Sequence, residues 1–301
     1  MYINDITNWL DGQGYPYTIS GNKSIKIEGF SSLENYQRGT LTWVKKQKNY
    51  DDVNDDLDIR CAIVQTGIKV KAQCCIHSGL SKEIFFKVLE YFWSGTKPER
   101  KIENTAIIGE EVKIGNNVSI GNNCVINGEI AIGDNTIIED NVVIMNRVKI
   151  GASCRIHAGC VIGKDGFSIT ENSVPEHIRH FGGVFIGDRV EIGANCVIDR
   201  GTIDHTRIGD DTKIDSLTLV AHNSVIGSKV MIIGGIIVGG SCRIGDKSYV
   251  SPGAMIKNQV KIGVNSFVGM GVYVHEDLED SHALLQNASK PIKMRDYRRF
   301  L

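Results

Sequence analysis

The stretch IENTAIIGEEVKIGNNVSIGNNCVINGEIAIGDNTIIEDNVVIMNRVKIGASCRIHAGCVI (102–162) carries an isoleucine at every sixth position. The register resumes at Ile186 and again at Ile208, and it runs on to Val274. A period of six differs from the 3.6 of an amphipathic helix and from the simple alternation of a strand. Residues 102–274 therefore predict a repeat architecture rather than an ordinary core.

Each repeat combines the aliphatic residue with a small or slim residue four positions later, and glycine often follows the aliphatic directly. Short strands of β-branched residues separated by Gly, Asn and Asp corners fit this spacing. One aliphatic and one slim side chain pointing inward from each strand would fill a narrow prism. Five cysteines occupy the slim position: Cys124, Cys154, Cys160, Cys196 and Cys242.

The pattern resembles that of the hexapeptide-repeat proteins, whose chain winds as a left-handed parallel β-helix with three hexads in each coil. The resemblance implies roughly nine coils, which would stand about 40 Å tall at a strand separation of about 4.8 Å. We therefore predict a mainly β protein. Its left-handed parallel β-helix would span 101–277, after a small α/β domain at 1–100 and before a short C-terminal tail at 278–301.

Composition narrows the function classes. The formal net charge of −1 gives no field that would favour nucleic acid. The start of the chain lacks the apolar core of a signal peptide, and no apolar run is long enough for a transmembrane segment. Cysteines at slim inward positions, with Cys61, Cys74 and Cys75 lacking metal-ligand spacing, predict buried thiols, no metal site and a reducing cytoplasm.

The first 100 residues lack the hexad and predict a separate domain ending in a linker at 94–101. Helices are predicted at Ile3–Leu10 and at Ser81–Phe92, the second with Ser81 as its N-cap. Strands are predicted around Ser24–Ile27, Thr40–Val44 and Cys61–Gln65.

Two breaks interrupt the hexads. Between Ile162 and Ile186 the chain contains Pro175, which cannot donate to a strand ladder, so an extruded loop is predicted. Loops on a rigid scaffold often carry function, although the loop histidines His177 and His180 are interpreted as surface residues. Between Ile198 and Ile208 only ten residues intervene, and Ile203 divides them into what would be two five-residue turns.

Four segments carry a more specific resemblance: GFSSLENYQRGTLTWVKKQKNY (29–50), GKDGF (163–167), CVIDRGTID (196–204) and KIDSLTLVAHNSVIG (213–227). They look like the UDP-3-O-acylglucosamine N-acyltransferases of lipid A biosynthesis. The resemblance implies transfer of a 3-hydroxyacyl group from the phosphopantetheine thioester of acyl carrier protein to the amino group of the nucleotide sugar. It also implies no bound cofactor, and a homotrimer with active sites between neighbouring prisms.

The resemblance places the catalytic base at His222. A neutral imidazole suits this role, because the attacking amine must lose a proton while a thioester oxyanion forms. With three hexads in a coil, Gly240 would stack on His222 and offer its N–H to the oxyanion, as the matching glycine does in the family. Asp215, on the preceding hexad, is the predicted partner that orients the base.

For substrate binding, Trp43 and Tyr50 take the places of two aromatic residues that clasp uracil in the family, although both could equally pack a small core. His205 is expected one coil below His222, where the family usually has Asp, and stacked histidines would disfavour joint protonation. The family's second histidine aligns with Gln259, or with Asn258 if the register slips by one.

Three alternatives remain open. An acetyl-CoA-dependent N-acetyltransferase acting on another nucleotide-linked amino sugar would suit Gln259 and a short C-terminus, where the basic residues of 290–299 could meet an acidic carrier or lie in solvent. An enzyme resembling the γ-class carbonic anhydrases would need three converging histidines, a pattern that the histidines at 157, 205, 222 and 275 do not show. A non-catalytic scaffold would be indifferent to His222→Ala.

Overall fold

A computed structural model describes residues 1–53, 57–95 and 100–286 of the chain. The chain divides into two compact units, Met1–Pro98 and Glu99–Leu301. The predicted border between 100 and 101 lies within three residues of this division. In the described part of the chain, no helix is long and apolar enough to cross a bilayer.

The N-terminal unit is a five-stranded sheet covered by helices. Its elements are α1 (Ile3–Gln13), β1 (Thr18–Gly21), β2 (Gly29–Phe30), β3 (Thr40–Val44), α2 (Gln47–Asp51), β4 (Ile59–Gln65), β5 (Ala72–Ser78) and α3 (Ser81–Trp93). The strand order is β1-β5-β4-β3-β2, with β1 antiparallel and the other pairs parallel. One apolar cluster joins α1 and α3 to one face of the sheet, and a second, smaller cluster covers the opposite face.

Sequence patterns located the two long helices and two of the strands of this unit. Helix α1 ends at Gly14, whose positive φ of 72° supplies the left-handed cap that glycine adopts readily. Ser81 is not the N-cap of α3: Leu80 is, and the Ser81 hydroxyl instead bonds Trp43 and Gln65. The predicted strand at Ser24–Ile27 is reduced to a single bridge at Lys26.

The second unit is a parallel β-helix with three flat faces, as the hexad period predicts. Each coil adds one short strand to each face, and successive coils pair in parallel. Two longer strands, β9 (Val125–Ile132) and β11 (Val143–Ile150), continue around one edge of the prism. They join two of the three faces into a single 15-stranded sheet.

Face 1 consists of β8 (Ser119–Ile120), β10 (Ile137–Ile138), β12 (Arg155–Ile156), β15 (Glu191–Ile192), β18 (Lys213–Ile214), β21 (Met231–Ile232), β24 (Tyr249–Val250), β27 (Phe267–Val268) and β29 (Ala283–Leu284). Face 2 consists of β6 (Ile107–Ile108), the first halves of β9 and β11, then β13 (Val161–Asp165), β16 (Val197–Arg200), β19 (Leu219–Val220), β22 (Ile237–Val238), β25 (Met255–Ile256) and β28 (Tyr273–Val274). Face 3 consists of β7 (Lys113–Ile114), the second halves of β9 and β11, then β14 (Val184–Ile186), β17 (Thr206–Ile208), β20 (Val225–Ile226), β23 (Arg243–Ile244) and β26 (Lys261–Ile262).

The core of the β-helix is the column of hexad aliphatics, and the slim residues fill the corners beside it. Ile126, Ile156 and Ile198 are fully buried, and the five slim-position cysteines belong to the same cluster. All eight cysteines of the chain lie in the described residues and are buried thiols. The thiols of the five slim-position cysteines bond backbone carbonyls at the corners of the prism, as Cys160 does to Gly193 at 3.0 Å.

The first break in the hexads is the predicted extruded loop, which leaves the prism after β13 and returns at β14. Part of it forms a small hairpin in which Ile169 bridges His177. The second break differs from the prediction. A single tight turn links β16 to β17, and Ile203 is 81% exposed instead of pointing inward.

The β-helix continues into the region predicted as a tail. Leu278 bridges Ile262, and β29 pairs with β27, so residues 278–284 still extend the coils. The basic cluster at 290–299 lies outside the described residues.

Candidate active site

The predicted catalytic residues gather along one edge of the prism, between faces 2 and 3. His222 follows β19 and Gly240 follows β22, so both lie where the chain turns from face 2 to face 3. Neighbouring coils are 18 residues apart here, because Leu219 pairs with Ile237, and the Ser241 amide donates to the His222 carbonyl at 2.8 Å. The extruded loop and the Thr202 turn leave the prism at the same edge.

The protonation pattern of the His222 ring follows from its neighbours. Nδ1 lies 3.0 Å from Asn223 Oδ1, and the backbone N–H of Thr202 donates to that same oxygen at 3.1 Å. Because an N–H can only donate, the Asn223 atom must accept, and Nδ1 of His222 must carry the ring hydrogen. Nε2 then holds the lone pair, which is the form a general base requires.

Gly240 lies directly against the nitrogen that carries this lone pair. A Cβ atom at position 240 would lie 2.8 Å from His222 Nε2, closer than a side chain can approach. The Gly240 N–H is occupied by Asn258, whose Oδ1 accepts from it at 3.1 Å. An oxyanion could use this donor only after the exposed Asn258 side chain turned away.

His180 is the residue of this edge that sequence reasoning missed. It was interpreted as a surface residue, but it is fully buried and its ring meets the His222 ring edge-to-face, with centroids 5.4 Å apart and planes at 78°. The sequence could not predict this burial, because the extruded loop has no repeat that would show which side chains point inward.

Two ion pairs lie at the ends of β13 and β16, at the same edge of the prism. Arg200 Nε lies 2.6 Å from Asp165 Oδ1, and Lys164 Nζ lies 2.6 Å from Asp199 Oδ1. Arg200 and Asp199 are buried. Burial raises the pKa of Asp199 above its usual range, although Lys164 opposes the shift. Opposite charges placed this closely offset part of the cost of burying each one.

Asp215 does not reach His222 in this structure. Its carboxylate accepts backbone N–H bonds from Ser216 at 2.7 Å and from Gly234 at 3.2 Å, and these bonds hold its pKa below the usual range. It follows β18 of face 1 and so lies at the edge between faces 1 and 2. The partner at Nδ1 of His222 is Asn223 instead.

His205 does not stack with His222 as expected: Arg207 pairs with Val225, so His205 lies one coil below Asn223. The His205 ring packs on Phe185 with centroids 4.4 Å apart, and its Nδ1 accepts the Gly183 N–H at 2.8 Å. Burial, together with the positive charges of Arg207 and Arg147, lowers the pKa of His205. The fold therefore favours the neutral ring.

The lowered pKa of His205 predicts that the folded protein loses stability in acid. A histidine whose pKa is lowered by folding contributes stability above its unfolded pKa of about 6.5, and the contribution is lost as the pH falls below that value. We expect the free energy of unfolding of the wild-type protein to decline between pH 7 and pH 5. Urea unfolding should show a smaller decline for His205→Gln, which cannot be protonated. Equal declines in the two proteins would contradict the assignment.

Trp43 and Tyr50 lie on opposite faces of the N-terminal sheet. Trp43 packs with Phe85 of α3, at a centroid distance of 6.2 Å, in the larger apolar cluster. Tyr50 belongs to the smaller cluster on the other face, where its hydroxyl accepts the Lys71 N–H at 3.0 Å. The two rings therefore do not clasp one base between them. The core-packing interpretation describes their contacts.

The remaining candidates are Gln259, a metal site and His157. Gln259 is exposed at the edge between faces 2 and 3 and has a φ of 68°, in the left-handed region. In the described ranges no three His, Cys, Asp or Glu side chains come together as metal ligands. His157 lies between Glu139 and Glu191, at 3.1 Å and 2.9 Å, on a different part of the prism.

Asn223 offers a direct test of the ring geometry. Asn223→Ala removes the acceptor for His222 Nδ1 and for two donors of Thr202. We expect kcat to fall about 10- to 100-fold because His222, the predicted base, loses its orientation, and the free energy of unfolding to fall by about 1–3 kcal/mol. Steady-state kinetics and urea unfolding would measure both. Asn223→Asp keeps an acceptor oxygen and should retain more activity, and equal loss in the two variants would contradict this role.

Comparison with known proteins agrees with this architecture. Residues 130–164 match the family described as "Bacterial transferase hexapeptide (six repeats)". The UDP-N-acetylglucosamine acyltransferase of Francisella novicida superposes with a TM-score of 0.57 at 26% identity, covering 62% of this chain and 66% of that one. In its repeats and its β-helix the chain is thus similar to hexapeptide-repeat acyltransferases.

Two curated relatives are similar to part of this chain at higher identity. The UDP-3-O-acylglucosamine N-acyltransferase of Shewanella denitrificans is 46% identical over 84 residues, which are 28% of this chain and 25% of that protein. The enzyme of the same name from Maricaulis maris is 53% identical over 75 residues, 25% of this chain and 22% of that protein. The matched regions thus span about a quarter of the length of these relatives.

Proposed function

We propose that the protein is an N-acyltransferase of lipid A biosynthesis. It transfers a 3-hydroxyacyl group from acyl carrier protein to the amino group of UDP-3-O-acylglucosamine. The observation that carries the proposal is the His222 ring, with Nδ1–H held by Asn223 and the Nε2 lone pair beside Gly240. The names of the relatives with similar segments support the choice of substrate.

In the proposed reaction, the sugar amine attacks the thioester carbonyl carbon while His222 Nε2 takes its proton. The tetrahedral oxyanion accepts a hydrogen bond from the Gly240 N–H, which requires Asn258 to release it. The C–S bond then breaks, and the imidazolium returns the proton to the departing sulfur. The products are the amide and the free thiol of the carrier.

The surroundings of this edge suit an acyl donor. Three exposed apolar side chains each adjoin a residue of the site in sequence: Phe167 after Gly166, Phe181 after His180, and Ile203 after Thr202. Their exposed fractions are 83%, 69% and 81%. An alkyl chain could cover them, and burying apolar surface stabilises a complex by about 25 cal/mol per Å².

We assign the nucleotide to the N-terminal unit because one cleft of that unit suits it. The cleft has a volume of about 760 Å³ and is lined by Trp43 together with Lys45, Lys46 and Lys48. Lysines complement a diphosphate, although Glu34 and Asp52 also line the cleft, and the half-buried indole of Trp43 can contact a base. Tyr50 is not among the lining residues, so only Trp43 stays a candidate for base contact.

A homotrimer is also part of the proposal. The outward positions on face 2 are apolar from coil to coil, and five of them are exposed to 36–65%: Ile107, Val125, Ile237, Met255 and Tyr273. The four between them, Val143, Val161, Val197 and Leu219, are half-buried. Exposed apolar surface of this extent marks an interaction site, and a second copy with closed symmetry would cover it. Sedimentation equilibrium should give three chains per particle. We place the enzyme in the cytoplasm, where its buried thiols would stay reduced.

Product mass spectrometry tests the function. The purified protein would be offered UDP-3-O-acylglucosamine with 3-hydroxyacyl carrier protein and, in parallel, acetyl-CoA with simple nucleotide-linked amino sugars. A hydroxyacyl amide supports the proposal. An acetyl amide alone would replace it with the acetyltransferase alternative, which Gln259 at the place of the family's second histidine favours. The absence of both products would reject acyl transfer to these sugars.

A further inference from the structure

His180 contacts the proposed base, yet the acyl-transfer chemistry does not use it. Its fully buried ring enters from the extruded loop, whereas His222 belongs to a corner of the coil. The edge-to-face contact, with centroids 5.4 Å apart, therefore joins the loop to the residue that carries the lone pair.

The His180 residue is anchored by backbone hydrogen bonds. Its Nδ1 accepts the Gly166 backbone N–H at 3.2 Å, beside the Arg200 carbonyl oxygen 3.1 Å away, and its own backbone N–H donates to Asp165 Oδ2 at 3.1 Å. Asp165 is itself paired with the buried Arg200. Burial alone would raise the pKa of Asp165, but Arg200 and the His180 amide hold it below its usual range. The carboxylate thus stays charged and keeps the anchor in place.

Gly166 closes the space between the two rings. A Cβ at this position would lie 2.9 Å from His222 Cδ2 and 3.0 Å from His180 Cε1. Both imidazoles therefore pack against the glycine, and a side chain at this position would displace them.

Packing alone does not account for an imidazole at position 180. Its Nε2 is buried and has no hydrogen-bond partner among the described residues. A buried polar atom without a partner destabilises the fold. A phenyl ring of similar shape would avoid that cost, but it would leave the Gly166 N–H without its acceptor.

We propose that His180 is a positioning residue for His222. Its ring, held by the Gly166 N–H and by the bond of its backbone to Asp165, keeps the His222 imidazole in the orientation that points Nε2 at Gly240. The inference rests on the proposed function, in which Nε2 takes the proton of the amine.

The test compares wild-type protein with His180→Ala by kinetics and by ¹⁵N NMR of the imidazoles. In His180→Ala we expect kcat to fall about tenfold while KM for both substrates stays within about twofold. The ¹⁵N signals of His222 should change from a single Nδ1–H tautomer to a mixture. Unchanged kcat per folded molecule with unchanged His222 signals would overturn the proposal, whatever the loss in thermal stability.

His180→Phe keeps the ring volume and guards against loss of folding in the alanine variant. It should preserve the Nδ1–H tautomer of His222 and recover most of kcat, whereas a tautomer mixture in this variant would overturn a role for the ring contact. His275→Ala, which removes an exposed histidine stacked on Tyr273, is the matched control. The NMR arm needs no substrate, so an inactive wild-type protein would reject the proposed function and leave this test intact.

Discussion

His222→Ala is expected to lower kcat for acyl transfer by about 10²- to 10⁴-fold, the usual contribution of a general base. The variant removes the imidazole whose Nδ1 is held by Asn223 and whose Nε2 lies beside Gly240. KM should change little, because the ring meets the reacting amine and not the distant parts of either substrate. Initial rates over a range of both substrate concentrations would separate the two parameters.

The fold should tolerate this change. The His222 side chain is half-buried at an edge of the prism and is not part of the aliphatic column, so the melting temperature is expected to stay close to that of the wild type. His275→Ala again controls for the loss of a histidine. Activity within twofold of the wild type would reject His222 as the base and leave the scaffold interpretation.

The period of six was sufficient to predict the prism, because inward side chains must repeat with the strands that carry them. It also placed Gly240 over His222 correctly, since 18 residues separate stacked positions in that part of the chain. Both predictions depend only on counting along a regular coil.

Counting residues along the coil did not predict which side chains contact His222. Asp215 precedes His222 by seven residues, which is about one face, so the turn of the chain carries it to another edge. The true partner, Asn223, adjoins His222 in sequence, but its role depends on the Thr202 turn that fixes its orientation. His180 lies in a loop without periodicity, so no count could predict that its ring is buried.

The N-terminal unit shows the same limit on a smaller scale. Successive side chains of a strand point to opposite faces, and Trp43 and Val44 in β3 accordingly belong to different clusters. Helix α2 then carries Tyr50 to the face of Val44. A spacing between two aromatic residues could not reveal this change of side, because it depends on the direction in which the chain leaves the strand.

Gly240→Ala should separate catalysis from folding at the same edge. The added Cβ would lie 2.8 Å from Nε2 and 2.9 Å from Cε1 of His222, so the imidazole must swing away from its present position. The obstructing atoms belong to a side chain that can rotate, and the stability cost should therefore be small. We expect kcat to fall about 10- to 100-fold from misplacement of the base, with the melting temperature nearly unchanged.

Two other glycines supply the comparison. In Gly201→Ala the new Cβ would lie 1.9 Å from the backbone carbonyl oxygen of Asp204, which cannot move without the turn, so this variant should lose stability as well as activity. In Gly12→Ala no atom lies within 4 Å of the new Cβ, and both properties should be retained. If Gly240→Ala kept wild-type kcat, the base could act from more than one orientation. The contact between His222 and Gly240 would then be incidental to the chemistry.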